Sequence, residues 1–154
     1  MRNRDGFTLL EISLAIFIGV LIVTIAVPSI QGVVAEQRAR KSFDAFEAIV
    51  RDAQSRSITE RRAWLLVWDK EGVALRPLEP ANKEEKKGVA RFDFAEKQTL
   101  EPQFPAALVK NPAKEWTFWP SGTCEPAVIA NRSEDGEWIA SYDPLTVRAK
   151  VEVK

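Results

Sequence analysis

The stretch "GFTLLEISLAIFIGVLIV", residues 6–23, contains a single ionisable side chain, Glu11, in an otherwise apolar run. Residues 12–27 continue the run, interrupted only by Ser13, Gly19 and Thr24. A helix of roughly 20 apolar residues spans the hydrocarbon core of a bilayer. The run therefore predicts a membrane-spanning helix over residues 7–30. A lone carboxylate inside it costs about 2.5 to 3.5 kcal/mol, so Glu11 requires an explanation.

The residues before this run are short and polar, "MRNRDG", with Arg2 and Arg4 among them. The positive-inside rule keeps such a segment cytoplasmic, so a single-pass protein with the rest of the chain outside the cytoplasm is expected. A cleaved secretory signal has a shorter apolar core of about 7 to 15 residues. A plain signal anchor explains the length of the apolar run but leaves Glu11 unexplained. A buried helix of a globular core does not fit, because polar and apolar residues in "MRNRDG" and the apolar run do not alternate between helix faces.

Composition limits the chemistry available to the chain. The 154 residues are 45% hydrophobic and 29% charged with zero formal net charge, which argues against a disordered chain and against an overall basic nucleic-acid binder. The lone cysteine, Cys124, excludes an internal disulfide and a cysteine-rich zinc site. Histidine is absent from the sequence, which removes histidine-activated nucleophiles and histidine-ligated metals. We expect no enzyme activity, no cofactor and no metal.

A second helical pattern follows Pro28 and Gly32. Pro28 is expected to kink or loosen the helix, because it lacks a backbone N–H. Residues 31–62 then predict an amphipathic helix that continues into a globular domain and ends near residues 57–61. Its apolar positions recur at steps of three and four: Ala39, Phe43, Phe46, Val50 and Ala53, with Ile49 beside them.

From residue 63 onward the pattern changes to that of strands. Residues 63–69 and 72–78 predict a hairpin, and Pro77 indicates an edge position or a strand end. Residues 79–88 predict a charged loop, and residues 95–114, with three prolines, predict irregular structure. Further strands are predicted at residues 89–94, 115–119, 127–130, 137–142 and 146–153. The fold class is therefore α+β, with a long N-terminal helix packed on an antiparallel sheet domain of residues 63–154.

A glycine that closes a short basic leader, followed by Phe7-Thr8-Leu9-Leu10-Glu11 and an apolar helix, resembles the prepilin-type leader of type IV pilins and type II secretion pseudopilins. The resemblance implies that residues 1–6 are a leader peptide. It implies that a prepilin peptidase cuts after Gly6 and methylates the amine of Phe7. Glu11 is then the fifth residue of the mature chain, and Pro28 lies where such helices commonly kink.

Two later motifs, "FWPSGT" at residues 118–123 and "DPLTVRAKVEV" at residues 143–153, are similar to closing motifs of GspH/FimT-like pilins. Family members often have glycine where this chain has Val147. The resemblance implies a minor pseudopilin of a type II secretion system, held in the inner membrane with a periplasmic domain. Its implied partners are the prepilin peptidase, sister subunits and secreted cargo. The alternatives are a FimT-like minor type IV pilin, serving pilus initiation or DNA uptake, and an unrelated signal-anchored periplasmic protein.

Physical chemistry gives Glu11 a role independently of the family. Cutting after Gly6 leaves an ammonium group on Phe7, which is itself costly in lipid. If subunits stack with a small axial offset, the Glu11 carboxylate of one helix can pair with the Phe7 amine of its neighbour. Such a pair sets register more reliably than it adds stability. Alternatively, Glu11 lies near the interface and reaches water.

Other candidate residues carry weaker signals. Tryptophans at strand positions favour core packing over a stacking platform. Arg148, Lys150 and Lys154 alternate on a predicted strand and are candidates for contact with nucleic-acid phosphate. Glu152 shares their face, which argues against nucleic acid as a partner. The acidic pairs Glu84-Glu85 and Glu134-Asp135 lack the spacing of an EF-hand and predict solvated loops. Cys124 is expected to be a passive, partly buried thiol.

Overall fold

The computed structural model describes residues 8–107, 112–134 and 136–153, and of residues 25–33 it describes the backbone alone. Gly6 and Phe7 lie outside the described residues. The chain divides into two compact units, one ending at Ala35 and one beginning at Glu36.

One helix, α1, runs from Leu9 to Thr59 and contributes to both units. Its end agrees with the predicted end near residues 57–61. Pro28 falls within α1, but its side chain lies outside the described residues, so the predicted kink stays a prediction. Within the described residues, no helix is both long enough and apolar enough to cross a membrane.

The second unit contains eight strands among its described residues, and each strand belongs to one of two four-stranded antiparallel sheets. The strands are β1 (Trp64–Trp68), β2 (Gly72–Pro77), β3 (Ala90–Asp93), β4 (Thr99–Gln103), β5 (Glu115–Phe118), β6 (Ala127–Ser133), β7 (Gly136–Tyr142) and β8 (Ala149–Val153). The first sheet has the order β3-β2-β1-β5, and the second has the order β4-β6-β7-β8. The predicted hairpin is confirmed, with Trp64 opposite Pro77 and Trp68 opposite Val73.

Two predictions made from the sequence are wrong. Residues 79–88 contain a short helix, α2 (Lys83–Lys87), because the Asn82 side chain caps its start by accepting a 2.8 Å hydrogen bond from the Glu85 N–H. Residues 95–114 contain β4, which pairs with β6. Pro102 does not prevent this, because β4 is at the edge of its sheet and a proline there can turn its missing N–H away from the partner strand.

Pro77 ends β2 but does not mark an edge, since β2 lies between β3 and β1. The sequence prediction offered both readings, and the strand end is the one confirmed. Pro77 is among the fully buried side chains. Its position at the last residue of the strand lets a buried proline occur in an inner strand without breaking the ladder further along.

The second half of α1 contributes the centre of the core. The predicted apolar stripe is buried at Ala39, Phe46, Val50 and Ala53, and Phe43 packs against it. The Phe46 ring lies 6.4 Å from Trp68 and 5.7 Å from Phe92 in the first sheet. It lies 5.7 Å from Trp138 in the second. Both sheets therefore close on one face of the helix.

The tryptophans follow the predicted preference for the core in all but one case. Trp64, Trp116 and Trp138 are fully buried and Trp68 is nearly so, whereas Trp119 is 42% exposed just beyond the end of β5. The aromatic side chains therefore act mainly as packing elements.

Polar contacts fix the helix against the second sheet. The Gln98 amide donates to the Ser42 hydroxyl at 3.2 Å and to the buried Asn131 amide oxygen at 2.7 Å. The Tyr142 hydroxyl donates to the Glu47 carboxylate at 2.9 Å. Burial, with the Glu47 charge, raises the pKa of Tyr142 well above its ordinary value. These bonds give the packing a defined register that apolar contacts alone do not supply.

Val147 adopts the left-handed conformation, with φ of 56°. Its N–H donates to the Asp143 carbonyl at 2.8 Å, and the Asp143 carboxylate accepts from the N–H groups of Leu145 and Thr146. Left-handed backbone favours glycine and is costly for a β-branched residue. The backbone at Val147 is therefore one that glycine would adopt without strain.

Candidate functional site

The start of α1 is defined by Thr8, which is the N-cap of the helix. Its hydroxyl oxygen accepts a 3.3 Å hydrogen bond from the Glu11 N–H, and its carbonyl accepts bonds from the N–H groups of Glu11 at 3.1 Å and Ile12 at 3.3 Å. The helical hydrogen-bond ladder therefore begins with the carbonyl of Thr8. A threonine hydroxyl at this position satisfies one of the free N–H groups that every helix start leaves.

Glu11 is the third residue of the helix and lies in its first turn. Thr8 and Glu11 thus have the spacing of a capping box, S/T-x-x-E. The helix dipole favours a carboxylate at this end of a helix. Sequence reasoning treated Glu11 as an isolated charge and missed Thr8, although the T-x-x-E spacing ahead of an apolar run was a usable signal.

An exposed apolar surface surrounds Glu11 along the helix. Apolar side chains here are between 48% and 85% exposed over residues 9–23: Leu9, Leu10, Ile12, Leu14, Ile16, Phe17, Ile18, Val20, Leu21, Ile22 and Val23. Polar side chains in and just after this stretch are satisfied locally. The Ser13 hydroxyl donates to the Leu9 carbonyl and the Thr24 hydroxyl donates to the Leu21 carbonyl, each at 2.8 Å. An apolar surface of this extent marks a site for lipid or for other helices.

The other predicted assembly residues cannot be placed around Glu11. Gly6 and Phe7 lie outside the described residues, as does the Pro28 side chain. Among the residues that the structure describes, no Lys or Arg side chain lies within 4.0 Å of the Glu11 carboxylate. The pairing of Glu11 with an amine therefore stays a prediction about assembled subunits.

Of the candidate nucleic-acid contacts, the structure describes Arg148 and Lys150. Arg148 is exposed but precedes β8, and Lys150 is exposed on β8 two residues before Glu152. Lys154 lies outside the described residues. The opposite charges of Lys150 and Glu152 on one face of the strand reduce any attraction for phosphate.

One member of each acidic pair, Glu85 or Glu134, makes an ion pair, and the cysteine is buried. Glu85 accepts two hydrogen bonds from the Arg62 guanidinium at 3.0 and 3.1 Å, which lowers the pKa of the Glu85 carboxyl. Glu134 pairs with Lys97 at 2.6 Å. Burial raises the pKa of the Cys124 thiol to about 12, so it is protonated at neutral pH and a poor nucleophile.

Comparison with known proteins adds a motif and a fold. Residues 1–27 match the family model described as the prokaryotic N-terminal methylation motif. The search of curated proteins found no match.

Solved structures of two proteins resemble the chain. The minor pseudopilin EpsH from the type 2 secretion system of Vibrio cholerae has a TM-score of 0.52 at 12% identity, over 76% of this chain and 96% of that one. The type IV minor pilin FimU of Pseudomonas aeruginosa, in two crystal forms, has TM-scores of 0.51 and 0.53 at 16% identity. Those alignments cover 75% and 77% of this chain and 91% and 89% of FimU.

These findings confirm the resemblance to type IV pilin-like proteins and the α+β pilin fold. The motif implies processing by a prepilin peptidase and assembly with pilin-type subunits, and it suggests a membrane-anchored subunit of a pilus or pseudopilus. At identities of 12% and 16%, the structural likeness concerns the fold alone.

Proposed function

We propose that this chain is a minor pseudopilin of a type II secretion system and that its work is assembly, without catalysis. It is made as a precursor, cut after Gly6, methylated on Phe7 and held in the inner membrane by residues 7–30. It then enters a short periplasmic filament that supports protein export. The second unit presents its surface to sister subunits or to secreted cargo.

One observation carries this proposal: a carboxylate, Glu11, stands in the first turn of a helix whose following residues are exposed and apolar. A soluble protein has little use for such a helix, because it leaves the apolar side chains in water. A helix that packs among identical or sister helices in lipid buries them. The methylation motif over residues 1–27 and the EpsH-like fold support the same proposal.

The chemistry of Glu11 then follows from maturation. Cleavage creates an ammonium group on Phe7, four residues before Glu11 in the sequence. In a stack of helices, the Glu11 carboxylate of one subunit meets the Phe7 amine of the next, and two costly lone charges become one pair. Only the correct axial offset forms the pair, so Glu11 selects the register of a new subunit.

A FimT-like minor pilin of a type IV pilus is the second candidate, supported by the FimU fold matches. The two candidates share their maturation and differ in their partners. A role in DNA uptake requires salt-sensitive DNA binding that neutralising Arg148 and Lys150 abolishes. The alternation of Lys150 with Glu152 favours the pseudopilin.

Mass spectrometry of the N-terminus of the protein, purified from its native host, tests the proposal. We expect a mature chain that begins at N-methylated Phe7. A chain that retains Met1, or one cut beyond Pro28, would refute both pilin-type candidates and favour an unrelated signal-anchored protein. Co-purification with components of a secretion system or of a pilus then separates the first two candidates.

A further inference from the structure

The outer edge of β8 is unpaired among the residues that the structure describes, since β8 ends its sheet and pairs only with β7. The Asp143 N–H donates to the Arg148 carbonyl at 3.1 Å, in the register of the β7–β8 ladder. Backbone groups of alternate residues point to opposite sides of a strand, so those of Lys150 and Glu152 also face β7. The backbone groups that face outward belong to Ala149, Val151 and Val153.

Two other sheet edges are blocked. β4 has Pro102 within the strand, and proline has no N–H to donate. On β5, the Thr117 carbonyl already accepts a 3.1 Å hydrogen bond from the Glu125 N–H. β8 has no proline and, within the described part of the chain, no strand beside its outer edge. An open edge of this kind is a template for another strand.

The side chains of β8 are complementary to the same strand in a second copy. Lys150 and Glu152 are exposed, whereas the side chains that alternate with them pack against the core. Antiparallel pairing of two β8 strands about Val151 sets Lys150 of each copy opposite Glu152 of the other. Across this contact they are non-hydrogen-bonded pairs, where opposite side chains lie closest and opposite charges stabilise the pairing.

Charge also selects one register for this contact. Sliding one strand by two residues sets Lys150 opposite Lys150, or Glu152 opposite Glu152, and like charges directly opposite are destabilising. Sliding by one residue places outward backbone groups opposite groups that are already bonded to β7.

We propose that the outer edge of β8 is an interaction surface for β8 of a second copy of this chain. The contact is two-fold symmetric and closes at a dimer, because the same residues are used on both sides. It joins the two second units through one continuous sheet. This goes beyond the proposed function, since it requires neither cleavage after Gly6 nor a particular secretion or pilus system.

Disulfide cross-linking of the full-length chain, purified in detergent, tests the register. Lys150→Cys and Glu152→Cys variants carry tags of different size, and the native Cys124 is buried. Mixed copies place the new cysteines opposite each other, with Cα atoms about 4.5 Å apart, a distance that a disulfide bridges. Copies of one variant place them diagonally, about 7 to 8 Å apart. We expect the mixture to be cross-linked at least about tenfold faster than either variant alone.

Val151→Pro blocks the edge without removing a bond to β7, because the Val151 N–H faces outward. Added to both cysteine variants, it should reduce cross-linking of the mixture to the rate of the single variants. Near-UV circular dichroism checks that the second unit stays folded. The matched control is Glu101→Cys, exposed on the edge strand β4, which should be cross-linked slowly because Pro102 blocks that edge.

Charge reversal tests the pairing without changing the backbone. Lys150→Glu sets like charges opposite each other and should raise the Kd of the dimer about tenfold in analytical ultracentrifugation. Adding Glu152→Lys restores opposite charges and should restore the Kd.

Equal cross-linking of the mixture and the single variants, or a folded Val151→Pro protein cross-linked as fast as its parent, would overturn the proposal. Fastest cross-linking of Lys150→Cys alone would indicate parallel strands and would overturn it as well. Association through the exposed apolar part of α1 would leave all these variants alike. Failure of the proposed function would instead appear in the mass of the N-terminus, which none of these measurements uses.

Discussion

At the scale of single residues, two positions show how local conformation and chemistry are connected. Thr8 begins a helix through one hydroxyl, and the T-x-x-E spacing is visible in the sequence. Val147 adopts a conformation that glycine prefers, which only the structure reveals. The difference arises because a cap is a local motif, whereas the conformation of Val147 is imposed by the turn that joins β7 to β8.

Replacing Val147 by glycine should change the free energy of unfolding by only about 1 kcal/mol. The release of left-handed strain, about 1 to 3 kcal/mol, offsets the loss of a buried side chain of similar worth. Val73→Gly is the matched control, since Val73 is equally buried in regular strand, and it should cost about 3 kcal/mol or more. Urea unfolding of both variants gives the comparison. Equal losses at the two positions would mean that Val147 is not strained.

Two buried ionisable groups predict a loss of stability in alkali. The pKa of Cys124 is raised by burial to about 12 from 9.0, and that of Tyr142 is raised from 10.0, first by burial and then by Glu47. Each group is protonated in the folded chain over a range where the unfolded chain releases its proton. The stabilisation is fully present below pH 9 and is lost as pH rises through the folded pKa.

Loss of the proton from each group in the unfolded chain should lower the free energy of unfolding by about 1.4 kcal/mol per pH unit above the pKa of that group in the unfolded chain. Urea unfolding between pH 8 and pH 11 measures the slope. Tyr142→Phe should reduce the slope above pH 10, and Cys124→Ala should reduce it between pH 9 and pH 10. A stability that stays constant over this range in the wild type would show that neither group is buried as described.

At the scale of elements, periodicity predicted most of the helix and the strands, and two elements were missed. The stripe through Phe46 and Val50 and the hairpin of β1 and β2 follow from patterns of period 3.6 and period 2. The strand β4 was missed because Pro102 argues against a strand, and its edge position is a tertiary fact. The helix α2 was missed because a five-residue element gives no periodic signal.

Phe46→Ala tests whether one helix face holds both sheets. Its ring contacts aromatic side chains of both sheets, so truncation should cost about 3 to 5 kcal/mol. Phe17→Ala, on the exposed part of α1, is the matched control and should leave the unfolding of the second unit unchanged. Thermal unfolding followed by near-UV circular dichroism reports on the tryptophans. Equal stability of the two variants would contradict the placement of Phe46 in the core.

At the scale of the whole molecule, the sequence predicted the fold class and the maturation motif but not the division of the strands into two sheets. Strand pairing across long separations, such as β4 with β6, is set by packing that no local pattern encodes. The candidate site was predictable at Glu11 because a charge in an apolar run stands out. The partner proposed for Glu11 belongs to another subunit, and the position of that subunit does not follow from one chain.

Incorporation of Glu11→Gln into sheared filaments, beside sister subunits in the native host, tests the pairing most directly. Glutamine keeps the side-chain shape and removes the charge, and Glu36→Gln is the matched control on an exposed part of the same helix. We predict that Glu11→Gln is cut and methylated normally and folds with wild-type stability. Its recovery in the filament fraction should be less than about one tenth of the wild-type amount, because the variant loses a charge pair in low dielectric. Wild-type recovery of Glu11→Gln would contradict the pairing of Glu11 with the amine of a neighbouring subunit.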